Sequence, residues 1–480
     1  MKPSGRSLTL VLGLGLLLLP SCARYEAKPL SAAQTARTLE TRRLDAPPFR
    51  AFLQTNLHRA LPAWPLPQWD LESLTLAAFY YQPSLDVARA DWRLAVAGQR
   101  SAAERPNPTV GASVGRQPVP DASPWIPALV FDLPIETAGK RRLRTDQARH
   151  LSEAARLNLA ATAWQVRSHL RASVVEDVWD QQRLQLLQRQ VELRQDLTER
   201  MTAQWQAGAI ARTDLTTARI ALDRARADLA DAQRLAAAAR VNVADAIGVP
   251  VRALEGVDVA FDLGLVPDAA GLTSTQARGM ALQRRPDILG ALAEYAASQS
   301  ALQLEVAKQY PDINLAPGYS WNAGSAGEND WQLSATSILP LFNRNQGPIA
   351  EAAGHRDALA ARFLALQARV IGDLDRAIAT VRASQASARA LNAVAAREST
   401  HRQEIEAQFK AGAVDQLEVL TASLELSSAE LSRLDALAQA QQAYGQLEDA
   451  VQSPLGLPEA ALEVSSNPIL AQRPASAHER

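Results

Sequence analysis

The stretch from Ala78 to Val243 is written a second time, in the same order, in the second half of the chain. Ala78, Pro83, Leu85, Ala88, Pro108, Val110 and Gly115 return as Ala281, Pro286, Ile288, Ala291, Pro311, Ile313 and Gly318, an offset of 203. Further along, Gln204, Ala207, Gly208, Ala209, Thr217, Ala218 and Leu222 return as Gln408, Ala411, Gly412, Ala413, Thr421, Ala422 and Leu426, now at 204. Solenoids and propellers repeat at roughly 20–50 residues, so a period this long marks a duplicated structural unit instead. What one unit contains therefore decides what the chain can be.

Each copy reads helix, strand pair, very long helix, sharp turn, long helix. Past the turn at Gly208, the positions Ala218, Leu222, Ala225, Leu229, Ala232, Ala236, Ala239, Val243 and Ala246 alternate spacings of four and three without a break. The second copy matches with Ala422, Leu426, Ala429, Ala436, Ala440, Ala443, Leu447 and Ala450, interrupted only by Arg433. A sustained heptad seam winds helices around one another, and alanine at most seam positions brings them close together. The preceding helix, Leu143 to Ala203, would span about 90 Å, too long for a globular core. Its counterpart carries Val370, Leu374, Ala377, Val381, Ala388, Leu391 and Ala395. Glycine just past a helix end permits the left-handed cap that reverses a chain. The tips Ala207-Gly208-Ala209-Ile210 and Ala411-Gly412-Ala413-Val414 are thus either plain hairpin turns or exposed docking knuckles for a helical partner.

The strands alternate. Ile313, Leu315, Tyr319 and Trp321 fall on one face, Asn314, Ala316, Gly318 and Ser320 on the other. After a Gly/Asn/Ser-rich turn, Trp331, Leu333 and Ala335 oppose Gln332, Ser334 and Thr336. The first copy has Val110, Ala112 and Val114, then Leu129, Phe131 and Leu133. A soluble hairpin also alternates. Aromatics near the strand ends with small polar residues opposite are, however, what a membrane barrel strand requires. A first helix from Thr275 to Lys308 is expected to precede this pair, stopping before Pro311.

Lys2 and Arg6 flank an apolar run from Leu8 to Leu19, the length of a signal-peptide core. It ends at Pro20-Ser21-Cys22, and Cys22 is the single cysteine. The placement resembles a lipobox, with an ordinary signal and an incidental cysteine as the other reading. With 50 basic and 51 acidic residues, no nucleic-acid partner is indicated. The six histidines, His58, His150, His169, His355, His401 and His478, lack metal-ligand spacing. No catalytic residue, phosphate loop, metal site or cofactor is expected, so an enzyme is not the reading.

At this point the chain resembles the TolC-like outer-membrane efflux channels over about Trp69 to Pro454. The likeness rests on the duplicated plan, on Arg285-Pro286-Asp287 and on the two Ala-Gly tips. The segments Leu133–Arg142 and Leu339–Gly347 are similar to junctions of the CzcC-like, heavy-metal branch. The resemblance implies a mainly α fold with a membrane β-barrel portion. As a homotrimer, it would close a twelve-stranded barrel above an α-helical periplasmic tunnel. It further implies a passive conduit docking on a periplasmic adaptor and an inner-membrane pump of the RND class, anchored in outer-membrane lipid by Cys22. Heavy-metal cations are the expected cargo. A multidrug or organic-solute channel is the alternative, followed by a periplasmic adaptor or a coiled-coil lipoprotein. Matched to the family's tip motif, the periplasmic aperture falls on Thr213, Asp214, Glu418 and Thr421. Glu418, repeated around the axis, would form an acidic constriction, unless Asp214 and Glu418 only favour a helix start. The expected organisation is a signal peptide (1–21), a lipid-anchored linker (22–67), a first repeat (68–250), a linker (251–271), a second repeat (272–454) and a tail (455–480).

Overall fold

The computed structural model describes residues 24–57, 61, 63–116, 125–267, 274–321 and 329–455. The expected signal segment with Cys22, the residues from 456 onward, His58 and His478 lie outside the described residues. The chain divides into two compact units, Met1–Arg43 and Leu44–Arg480. The first contains helix α1 (Ala32–Glu40).

In the second unit, helix α2 (Pro47–Leu57) precedes the first copy, which runs through β1 (Trp69–Asp70), α3 (Leu71–Tyr81), α4 (Pro83–Ala103), β2 (Thr109–Arg116) and β3 (Trp125–Ile135). It ends in α5 (Lys140–Gln206) and α6 (Arg212–Ile247). A connector with a 3-10 turn (Val251–Leu254) and β4 (Val259–Ala260) follows, β4 pairing in parallel with β1. The second copy repeats the plan with α7 (Ser274–Arg284), α8 (Pro286–Ala307), β5 (Ile313–Trp321), β6 (Asn329–Ser337), α9 (Gln346–Lys410) and α10 (Gln416–Val451).

One expectation is corrected. The helix expected over Thr275 to Lys308 is two, α7 and α8, broken at Arg285. Pro286 forces the residue before it out of the helical region, and Arg285 is extended at ψ 125°. Gln82 before Pro83 does the same at ψ 119°. Both break residues then do equivalent work. Gln82 Nε2 donates to the carbonyls of Asp245 and Ala246 at the end of α6. Arg285 donates to those of Asp449 and Ala450 at the end of α10. The last carbonyls of a helix lack intrahelical partners, and each copy supplies them from its own break.

The two strand pairs merge into one antiparallel sheet in the order β2-β3-β5-β6. β2 and β6 are its edges, with no partner among the described residues. At 67 residues, α5 is about 100 Å long. The four long helices pack in the order α6-α5-α10-α9, with α4 against α5 and α8 between α5 and α9. The alanine seams close as their spacing demands: Leu222, Ala225, Ala232, Ala236, Ala239, Val243 and Ala246 are buried on α6, and Val370, Leu374, Ala377 and Val381 on α9. Where α2 and α3 lie against the middle of α5 (Leu159, Ala163, Leu170) and the end of α6 (Val243, Ile247), an aromatic core of Phe49, Phe52, Trp69 and Tyr81 fills the interior.

Candidate functional site

Three regions hold the residues on which a conduit would depend: the sheet, the seam between the hairpins, and the two tips.

The sheet has two unlike faces. Register aligns Val110 with Phe131, Leu129 with Tyr319, Leu133 with Leu315, and Tyr319 with Trp331, so these side chains share one face. Trp125, Trp321, Trp331 and Tyr319 crowd the end of that face away from the helices, with Tyr319 and Trp331 rings 4.8 Å apart. Arg116 pairs with Trp125 there and its guanidinium lies 5.6 Å from the ring. The opposite face carries Thr109, Ser113, Asp132, Ser320, Asp330 and Gln332. An apolar face with an aromatic belt backed by a polar face is the lipid-facing and water-facing division of a membrane strand. Among the described residues, no helix is long and apolar enough to cross a membrane.

Where the sheet meets the helices, both copies turn through left-handed backbone, at Ala138 and Gly139 in one and at Asn345 in the other. The first turn is clamped across the repeat. Lys140 Nζ and the Thr137 amide both donate to Asp312 Oδ1 at 2.8 Å, and Arg144 makes a two-pronged bond to Glu136. The second is held by Asn345 Nδ2 donating to Glu305. These contacts give the two junction segments of the sequence a structural purpose.

Within the protomer, the hairpins meet where α5 crosses α10, and this seam is polar. Trp164 Nε1 and Ser168 Oγ donate to the two oxygens of Asp449, Arg167 pairs with Glu448 at 3.2 Å, and Trp179 donates to Asp435. Arg171 reaches both the carbonyl and the side chain of Gln441. Burial lowers the Arg171 guanidinium's pKa, with Glu448 opposing that shift. Gly445 makes the room: a Cβ there would collide with Arg171 Nη1. Beside this seam, the connector crosses all four long helices. Arg240 holds the carbonyls of Leu254 and Val257 and pairs with Asp177. Gln441 donates to those of Asp262, Leu263 and Leu265, and Gln385 to that of Pro267. Asp177, Arg240, Gln385 and Gln441 all lie about 40 Å from the tips at 1.5 Å per residue. The heptad pattern is blind to this network because it registers only apolar positions. Only the tryptophans and arginines on α5 hint at it.

At the tips, the reversals are identical. Gly208 (φ 75°) and Gly412 (φ 77°) are left-handed. Their amides bond to the carbonyls of Trp205 and Phe409, and those of Ala209 and Ala413 to the carbonyls of Gln204 and Gln408. These are the paired bonds of a Schellman cap. Ala207, Gly208, Ala209, Ala411, Gly412 and Ala413 are exposed, with Ile210 and Val414 half-buried beside them. Thr213 and Asp214 open α6, and Glu418 and Thr421 open α10, all exposed. Asp214 accepts the Ala211 amide, and Asp415 accepts that of Glu418, the N-cap bond that the spacing Asp415-x-x-Glu418 permits. Thr421 Oγ1 bonds its own helix at the Leu417 carbonyl. No bond among the described residues joins the first tip's pair to the second's. Nor is any group of three or more His, Cys, Asp or Glu side chains among them placed to hold a metal ion.

The pattern of the family described as outer membrane efflux protein matches residues 78–249 and 277–451, one segment for each copy. The chain belongs to that family. Among relatives of this outer membrane efflux protein, the cobalt-zinc-cadmium resistance protein CzcC of Cupriavidus metallidurans is 26% identical over 326 residues, 65% of this chain and 74% of that protein. The pyoverdine export outer membrane protein OpmQ of Pseudomonas aeruginosa is 34% identical over 105 residues, 21% of each. Among solved structures, the outer-membrane channel OprN superposes with a TM-score of 0.67 at 18% identity, covering 91% of this chain and 98% of its own. CusC gives 0.64 at 20%, covering 80% and 92%. The protein is therefore an outer-membrane efflux channel, mainly helical with a membrane sheet, as the duplicated sequence leads one to expect.

Proposed function

We propose that three copies assemble into one conduit. Their sheets would close a twelve-stranded barrel and their long helices a periplasmic tunnel. The observation that carries this is the sheet with two open edges. Lipid supplies no partner for unpaired backbone groups, so four strands cannot stand alone in a membrane.

The duplication supports the same arrangement. α8 packs on α5, where Gly290 faces Leu157. The equivalent residue on α4 is Val87, which is 62% exposed, and buried Ala297 corresponds to Leu94, 72% exposed. On α9, Leu364 is 63% exposed, whereas its equivalent on α5, Ala160, is buried. Each exposed residue lies where the other copy has an internal contact. A neighbouring chain docking its α4 onto α9, as α8 docks onto α5, covers both. Leu94→Asp is expected to convert trimers into monomers of unchanged helix content, read by light scattering and circular dichroism in detergent. Trimers persisting in that variant would defeat the arrangement.

The conduit is passive, without enzymatic activity. It works with a periplasmic adaptor and an RND-class inner-membrane pump, docking through the two Ala-Gly tips. Glu418, whose carboxylate has no bonded partner among the described residues, forms with its copies an acidic aperture beside Thr213, Asp214 and Thr421. Acylated Cys22 anchors each chain to the outer membrane, and the chain is organised as two repeats, 68–250 and 272–454. Heavy-metal cations are the cargo that the CzcC likeness favours, because that likeness spans most of the chain. An organic cargo is the second reading, favoured by the shorter OpmQ match. A deletion strain decides between them. Sensitivity to cobalt, zinc or cadmium with unchanged tolerance of organic toxicants supports the first, and the reverse supports the second.

A further inference from the structure

The polar face of the sheet carries charge of one sign. Among its described residues, the titratable groups are Asp132 on β3 and Asp330 on β6, with no lysine, arginine or histidine. The one cation on the described strands, Arg116, has the register of the apolar face, where it lies over Trp125. The two acids stand at different levels. Asp330 pairs with Ser320, and Ser320 with Ala128. Asp330 is therefore level with Ala128, four residues along β3 from Asp132, about 13 Å at strand rise.

The geometry points to Asp132 and Asp330 as selectivity residues of the membrane pore, set for inorganic cations. This rests on the trimeric reading, under which each acid recurs three times around the axis in two rings. Asp132 has one carboxylate oxygen, Oδ1, inaccessible to solvent and without a hydrogen-bond partner among the described residues, so no donor among them is committed to that oxygen. Serine, threonine, asparagine and glutamine side chains around the rings offer dipoles but no countercharge. Wall charge of one sign concentrates the opposite ion, and it acts over about 8 Å at physiological ionic strength. Rings of acidic side chains are a physical basis of cation preference in wide pores. Two successive rings act in series, so an ion leaving the first enters the field of the second before reaching bulk water.

The test is reversal potential across planar bilayers in a tenfold KCl gradient, with purified full-length protein. Wild type is expected to favour potassium. In D132N/D330N the potassium-to-chloride permeability ratio should fall at least threefold at similar conductance. Ser113→Asp, adding an acid to the same face, should raise it. Unchanged ratios in both variants, with wild-type channels cation-selective, would overturn the inference and leave the trimeric conduit standing. Wild-type protein that forms no channel at all would instead remove the trimeric reading, and this inference with it.

Discussion

Asp180 lies buried on α5, and one of its carboxylate oxygens has no hydrogen-bond partner among the described residues. Burial, reinforced by the nearby carboxylates of Glu176, Asp177 and Asp231, pushes its pKa up to about 6, with Arg183 opposing. A carboxyl raised in the folded state binds its proton more tightly there than in the unfolded chain. Stability is then full below the unfolded value near 4 and is lost as pH rises towards 6. Asp180→Asn should therefore raise the melting temperature at pH 7.5 and leave it nearly unchanged at pH 4. The gain should be on the order of 1–2 kcal/mol, allowing for relaxation around the charge. Thermal melts of both proteins across that range check it, and parallel curves would dismiss the effect. Nothing in the sequence marks Asp180. Acidic residues are common on α5, and whether one is solvated or enclosed depends on which helix packs over it. Arg285 is a different case. It is conspicuous in Arg285-Pro286-Asp287, yet its partner, the end of α10, lies more than a hundred residues away and no local pattern points there.

At the scale of elements, periodicity makes the long helices, their seams and both tip reversals legible. Alternation does the same for the strands, since a period of two assigns every side chain to a face. The connector is not legible, because 251–267 has neither period and is held by side chains donating to its backbone carbonyls. Where helices end, the copies diverge in an instructive way. Gly248 (φ 86°) closes α6, and a Cβ there would stand 2.9 Å from the Tyr81 carbonyl. Its equivalent at the end of α10 is Gln452, left-handed at φ 47°. Gly248→Ala should cost about 2–4 kcal/mol, combining a strained backbone with a clash against main chain that cannot move aside. Gln452→Gly should instead stabilise by about 0.5–1 kcal/mol, relieving the strain a side chain meets there. Denaturant midpoints of the two variants should move in opposite directions. The connector offers a second measurement. Gln441→Ala removes the donor to three carbonyls, so limited proteolysis within 261–267 should accelerate several-fold while the helices stay protected.

Duplication and oligomerisation complete each other in the whole molecule. One copy supplies two strands and two long helices, and two copies still leave both sheet edges and the outer side of α4 uncovered. What remains open on one side of the protomer matches what is closed inside it. That closure makes a prediction about two adjacent residues. Leu129 and Ala128 are neighbours on β3, Leu129 facing Tyr319 on the apolar side and Ala128 facing Ser320 on the polar side. Arginine on the lipid face of a barrel costs about 2–4 kcal/mol near the bilayer midplane, whereas a lumen substitution leaves folding intact. Leu129→Arg should therefore deplete the protein from outer-membrane fractions and abolish heat-resistant trimers. Ala128→Arg should assemble normally and reduce cation preference, because it places a positive charge level with Asp330. If both variants assembled equally well, neither face would be in lipid, and the sheet would be a soluble cap instead of a barrel wall. If Ala128→Arg alone failed to assemble, the faces would be reversed, and the aromatic belt would line the pore.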